Sequence, residues 1–391
     1  MNKITRFLLA AVFAATASGA VFAQSHICAY VNDNLSVPGG APNTVDGYNV
    51  TGTTATYIAP VATTGVATGH GTYSGGTAGM RARNNDLYIG SDGSRTIGHL
   101  IINPSDCSLT YDKDYRDGDT SSPDLDDPFA ISPNGKFMYV SNNGTYLAHK
   151  TSNIQLIKID ADGSLKKPVA QNVVNSFIFG LAVSSNGNLL AASLPQLEEV
   201  CLYTIAFDGS LGANPSCSST TTGFLSGLTF DKAAACLYLG EGSATANEVA
   251  SAPVFGTSLG AFTDFINLGG GTITEAVTLS ANGKLLYISD SASSQITAAP
   301  VGPSCALSAG TVSSFGMAGN DYPSQIAVSG TTVFIVDNNS DDGFTVPTLG
   351  IFRGRSNGGL QSLTGGNPLH PLTTVQLASP FSVAVVPESS N

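Results

Sequence analysis

Tryptophan is absent from the 391 residues, and ionised side chains are scarce. Charged residues make up 11% of the chain, with 16 Lys+Arg against 28 Asp+Glu. Soluble domains carry about 25% charge. A chain this poor in charge, with 42% hydrophobic residues, is not held open by self-repulsion. The few cations exclude a nucleic-acid surface, because neutralising phosphates needs clustered Lys and Arg. No CxxC or other metal-ligand spacing of cysteine occurs, which argues against zinc and iron–sulfur sites. Phosphate-binding loops are missing too: no GxGxxG opens a helix, and there is no GxxxxGK(S/T). No GxSxG nucleophile elbow is present. Five scattered histidines make a poor multi-copper or haem site. Without Trp, stacking against a sugar falls to tyrosines such as Tyr48, Tyr57, Tyr73, Tyr146 and Tyr322.

Long apolar runs are also lacking, except at the start. Lys3 and Arg6 precede the apolar run Leu8 to Ala15, and Val21-Phe22-Ala23 has the form of a small-residue cleavage site. Residues 1–23 therefore read as a signal peptide, cleaved after Ala23. The run is short of the roughly 20 residues that span a bilayer, and no membrane span is expected. Removing the segment takes away two bases and no acid, so the net charge of −12 becomes about −14. A periplasmic or secreted destination follows, where disulfides are permitted.

What the chain does have is a repeat. The segments FAISPNGKFMYVSN (129–142), LAVSSNGNLLAAS (181–193) and VTLSANGKLLYISD (277–290) share two apolar runs around an Asn-Gly turn. Degenerate copies start at residues 79, 228 and 326, and HICAYVND at 26–33 is a half copy. The aromatic marker of the second run falls at Tyr30, Tyr88, Tyr139, Ala191, Tyr238, Tyr287 and Phe334, spaced 58, 51, 52, 47, 49 and 47 residues apart. Asp-Gly-Ser turns in IQLIKIDADGSL (154–165) and CLYTIAFDGSL (201–211) mark a second hairpin in each unit. Four antiparallel strands, A to D, at a period near fifty describe a propeller blade.

The expected fold is an all-β, seven-bladed β-propeller over residues 24–391, a single domain and a monomer. The first copy lacks strand A, and FSVAVVP at 381–387 supplies it from the far end, closing the ring. Tandem β-sandwiches would not explain this split unit. The repeat also predicts the cysteine pairs. Cys201 and Cys217 lie eight residues either side of Gly209, across one C–D hairpin. Cys28 and Cys236 sit two residues before the marker, and Cys107 and Cys305 sit at the C–D turn of the following blade. Cys28–Cys107 and Cys236–Cys305 are therefore expected as equivalent bridges between blades.

The copies SPNGKFMYVSN and SANGKLLYISD resemble the lactonase-type β-propellers described by YVTN-like repeats, over nearly the whole mature chain. That resemblance implies hydrolysis of sugar-acid-type lactones at the mouth of the central channel. Such propellers often carry a Pro-His pair before strand A. Here the positions read Asp127-Pro128-Phe129, Phe177-Ile178-Phe179, Thr274-Glu275-Ala276, Tyr322-Pro323-Ser324 and Pro380-Phe381, with no His.

In this topology the D–A and B–C loops share one face, the top, where function usually sits. His70, His149, His370 and Arg95 fall in such loops, and Glu275 falls at a strand-A entry. Lactone hydrolysis needs a base to activate water and a cation for the developing oxyanion. Glu275, His149 or His370 are candidates for the base, and Arg95 for the oxyanion partner. The other reading is a non-catalytic envelope or extracellular scaffold, with a protein partner in place of a small-molecule lactone. No cofactor is required. The stretch DKDYRDGDTSSPDLDD (112–127) holds seven acids. Its Asp112, Asp114, Asp117 and Asp119 resemble a calcium loop without matching EF-hand spacing; a solvated acidic loop is the alternative. Asp337, Asp341 and Asp342 form a second, weaker acidic cluster.

Overall fold

The computed structural model describes residues 26–32, 42–66, 79–91, 94–118, 128–142, 152–220, 224–242, 247–269, 274–290, 295–314, 323–337, 348–363 and 382–386. Residues 1–23, His70, Tyr73, Asp119, Tyr146, His149, Tyr322, Asp341, Asp342 and His370 lie outside them, as do the side chains of Glu275 and Asp337. Seven four-stranded antiparallel blades form a ring, and blade five carries one additional two-residue strand, Ser258–Leu259. No helix among the described residues is long and apolar enough to cross a membrane.

The ring closes as the split first unit predicts. Ser382–Val386 is strand A of blade one and pairs antiparallel with Ile27–Asn32, with Tyr30 opposite Ala384. Strands A of successive blades touch around the centre: Met80–Arg83, Phe129–Ile131, Gly180–Val183, Phe224–Phe230, Thr274–Leu279, Pro323–Ser329 and Ser382–Val386. Each apolar cluster lies between two neighbouring blades. Tyr30, Met80, Leu87 and Ala384 share one, and Tyr238, Leu279 and Ile288 share another. The blades are thus held by burial on both faces, which suits strands rich in Val, Ile, Leu and Tyr.

The Ser-x-Asn-Gly motif explains the A–B turns. In blade three Ser132 Oγ bonds Asn134 Oδ1, Lys136 N donates to the same oxygen, and Phe137 N donates to Ser132 Oγ. Ser184/Asn186 and Ser280/Asn282 repeat this arrangement. Short polar side chains close the turn locally, leaving its backbone satisfied before any neighbouring blade is in place.

All three disulfides pair as the repeat predicts: Cys28–Cys107, Cys201–Cys217 and Cys236–Cys305. The two inter-blade bridges belong to a wider pattern at the seams. At three seams the marker tyrosine reaches the C–D turn of the next blade and donates its hydroxyl to a turn carbonyl. Tyr30 donates to Cys107 O at 3.0 Å, Tyr88 to Gly163 O at 2.8 Å and Tyr139 to Gly209 O at 2.8 Å. Burial pushes all three phenols well above their ordinary pKa, so they stay protonated donors.

The turn residue itself sits in the left-handed region: φ is +64° at Cys107, +82° at Gly163 and +89° at Gly209. Asp106-Cys107-Ser108 is therefore the same turn as Asp162-Gly163-Ser164 and Asp208-Gly209-Ser210, with the Asp carboxylate accepting from the Ser backbone N–H in each. A Cβ on Gly209 would meet the Phe137 ring at 2.5 Å. Where the turn residue is Cys107, the corresponding partner is Cys28 and the contact is covalent. Gly209→Ala should therefore destabilise through both strain and overpacking, by roughly 1–3 kcal/mol. Tyr139→Phe should cost about 1–2 kcal/mol for the lost buried bond. Urea unfolding measures both; a Gly209→Ala variant as stable as the parent would refute this seam geometry.

Candidate functional site

The seven A strands enclose a central cavity of about 250 Å³. Its lining is mostly small and apolar, with Ser132, Ser185, Thr229, Thr278 and Gln325 supplying neutral polar groups. Arg81 and Arg83, both on strand A of blade two, are the ionisable side chains of that lining. Arg81 Nη1 donates to the Met80 carbonyl at 2.9 Å. Arg83 is half-buried and its Nε is enclosed without a hydrogen-bond partner. Neither arginine stood out in the sequence. The signal was available: both lie in the degenerate copy at 79–92, on a strand that the repeat places at the channel.

Of the residues expected at the site, His149 and His370 lie outside the described residues, and Glu275 and Arg95 stand on different blades. Glu275 lies in strand A of blade six, Thr274–Leu279, at the end next to the D–A loop. Thr274 beside it is fully buried and its Oγ1 has no hydrogen-bond partner. Arg95 sits in the B–C turn of blade two with φ +54°, half-buried, and is not among the channel-lining residues. Its carbonyl accepts from Asp117 N at 3.3 Å, and the neighbouring Ser94 carbonyl accepts from Arg116 Nη1 at 3.2 Å. These contacts tie the B–C turn to the end of strand D.

The acidic stretch starts as strand, not loop. Asp112 and Asp114 lie within Leu109–Arg116, strand D of blade two. They are drawn to different neighbours: Asp112 to His99 and Asp114 to the Thr64 hydroxyl. Asp117 follows the strand and is buried. Two residues apart in a regular strand, Asp112 and Asp114 would share a face, but the register shift between His99 opposite Lys113 and Leu100 opposite Tyr111 falls at Asp112 and breaks that alternation. Among the described residues, the two groups of His, Cys and carboxylate side chains that approach one another contain Cys28 and Cys107, or Cys201 and Cys217. Those sulfurs are committed to disulfides and offer no thiolate.

His99, on strand C of blade two, was not singled out by the sequence. It is 1% exposed and bridges two carboxylates, with Nε2 2.9 Å from Asp86 Oδ1 and Nδ1 3.2 Å from Asp112 Oδ2. Its ring stacks on Tyr88 at 5.1 Å. Asp86 occupies the repeat position of Cys28, two residues before the marker, and a Cβ on Gly163 of blade three would meet its Oδ1. The cluster is therefore a seam element of blades two and three. Burial opposes the imidazolium, but hydrogen bonds and charge from Asp86 and Asp112 outweigh it and raise the His99 pKa.

No family model matches the chain, and no curated protein matches it. Solved structures do share its fold. A candidate 6-phosphogluconolactonase from Bacteroides uniformis superposes with a TM-score of 0.67 at 13% identity, covering 93% of this chain and 100% of that one. The periplasmic gluconolactonase of Pseudomonas aeruginosa gives 0.64 at 16% identity, over 92% and 99%. A hypothetical selenium-binding protein from Sulfolobus tokodaii gives 0.66 at 7% identity, over 92% and 93%. At such identities the likeness is one of fold, a seven-bladed β-propeller.

A raised folded pKa means that His99 binds its proton more tightly in the native state than in the unfolded chain. Its contribution is present in full below the unfolded value of about 6.5 and is lost as pH rises through the elevated folded value. Thermal melts should therefore show a fall in Tm over that window. His99→Gln should remove this component; an unchanged pH profile in the variant would exclude the bridge as its source.

Proposed function

We propose that this protein is an exported, lactonase-like propeller that binds a sugar-acid-type lactone at the top mouth of its channel and opens the ring by hydrolysis. The observation that carries the reading is the closed ring of seven A strands around one cavity, with Glu275 on an A strand at the D–A end. In this reaction water adds to the lactone carbonyl, its proton passes to the base, and the ring oxygen leaves as the alcohol of a hydroxy acid. Glu275 serves as the base. His149 and His370, which the repeat pattern assigns to loops between strands, are the other candidates for proton transfer, with Arg95 for charge stabilisation. The fold shared with a periplasmic gluconolactonase supports the substrate class, and three disulfides support a destination outside the cytoplasm. No cofactor is needed for this chemistry, and the protein acts as a monomer.

One observation favours a second reading, a binding scaffold without turnover. Among the described channel-lining residues, the ionisable groups are Arg81 and Arg83. Such a lining can hold an anion but cannot move a proton.

A panel of aldonolactones offered to the mature protein separates the two. Turnover is expected, with kcat reduced about 10²–10⁴-fold in Glu275→Gln, the range for loss of a general base. No turnover of any lactone would leave the scaffold reading. The same assay run in chelator is expected to give unchanged activity and Tm. A loss restored by calcium would instead assign Asp112, Asp114, Asp117 and Asp119 to a bound cation.

A further inference from the structure

The A–B turns ring the bottom mouth of the channel, because each leaves the end of a channel-lining strand. Their charge is one-sided. Lys136, Lys232 and Lys284 stand exposed in the turns of blades three, five and six, and Arg83 ends strand A of blade two with Arg81 one step inside. The acids at the described A–B turns are Asp231, whose Oδ1 already accepts from Ala235 N at 2.6 Å and Cys236 N at 2.8 Å, and Asp86, which pairs opposite Arg83 across its turn and is held by His99 Nε2 at 2.9 Å. Five cations thus gather around one opening, in a chain with only 16 Lys+Arg and a net charge of −12.

Arg83 is the fixed member of this ring. A Cβ on Gly135 would meet its Cγ at 3.3 Å and its Nε at 3.4 Å, so the side chain lies across the seam onto the blade-three turn. Arg83 Nε is enclosed against this turn without an acceptor, so the guanidinium is partly stripped of water, and an anion that reaches its outer edge from the channel gains accordingly. A planar fork held in place suits a carboxylate, which takes two parallel N–H bonds. Around it, the Ser185 and Thr278 hydroxyls donate to the Lys232 and Ile326 carbonyls and keep lone pairs that can accept from a ligand hydroxyl, with Thr229 beside them on the wall.

We propose that the bottom mouth is an anion site for a small sugar acid, the carboxylate held by Arg83 and drawn in by Lys136, Lys232 and Lys284. This rests on the lactonase reading only for the identity of the ligand: the acid is what ring opening at the top mouth would release. The channel would then take a neutral lactone at one end and hold the charged product toward the other.

Calorimetric titration of the mature protein with gluconate, with uncharged glucitol and with inorganic phosphate tests the site. Gluconate is expected to bind and glucitol not. Affinity should fall at least tenfold in Arg83→Gln and partly in Arg83→Lys, which keeps the charge but loses the fork. Lys284→Gln, an exposed substitution that leaves the blade intact, should weaken binding mainly at low salt, where charges beyond about 8 Å are felt. Gluconate affinity unchanged in Arg83→Gln, with the variant melting normally, would overturn the site. Phosphate binding as tightly as gluconate would overturn the sugar-acid assignment. A protein that binds gluconate through Arg83 but turns over no lactone would retain the site while the hydrolase reading fell.

Discussion

Four blades grip the preceding blade through the turn that joins strands C and D. At the seams between blades one and two, two and three, three and four, and five and six, that turn places one residue in the left-handed region, face to face with the start of strand B in the preceding blade. The chain meets this demand with different chemistries. At blades one and two, Cys107 adopts φ +64° and bonds covalently to Cys28. At blades three and four, Gly209 lies against Phe137 and lends its carbonyl to Tyr139. At blades two and three, Gly163 lies against Asp86, which is itself tied to His99. The same geometry is closed by a disulfide, by packing, or by a buried ion pair. Among the described residues His99 is the buried imidazole, and its pairs with the partly exposed Asp86 and Asp112 are screened less than a pair between two exposed groups.

The seams fix where the strands end, and so where the channel opens. The A–B and C–D turns on the bottom are tight, with their backbone groups met by Ser, Asn and Asp side chains. The charge at the inner edge of that face is cationic: turns of the SPNGK and SANGK kind carry Lys after the Asn-Gly pair.

The fold could be read from the sequence because it is written seven times. A marker every fifty residues, an Asn-Gly turn beside it and a half copy at the start specify blade number, topology and closure. The disulfides followed because Cys28 and Cys236 share one repeat position and Cys107 and Cys305 another. The site was less legible for a physical reason. Repetition reports what blades have in common, whereas function depends on where one blade departs from the rest. Arg81 and Arg83 lie in the most degenerate copy, and His99 depends on Asp112, thirteen residues away on the next strand. Asp112 and Asp114 looked like loop ligands because acidic density was read without strand register. Pairing of Gly98 with Asp114 and of Leu100 with Tyr111 leaves Asp112 beside the bulge, facing His99.

The split first blade has a consequence in time. Ile27–Asn32 emerges early in synthesis, yet its inner partner, Ser382–Val386, is made after the rest of the ring. Until then blade one offers an open hydrogen-bonding edge at the centre of the assembly, and six finished blades wait on five residues. The Cys28–Cys107 bond joins blade one to blade two on the other side of that gap. It can hold the unfinished blade against its neighbour while the last strand arrives, so the same crosslink that secures a seam in the finished ring also serves as a clamp during its assembly.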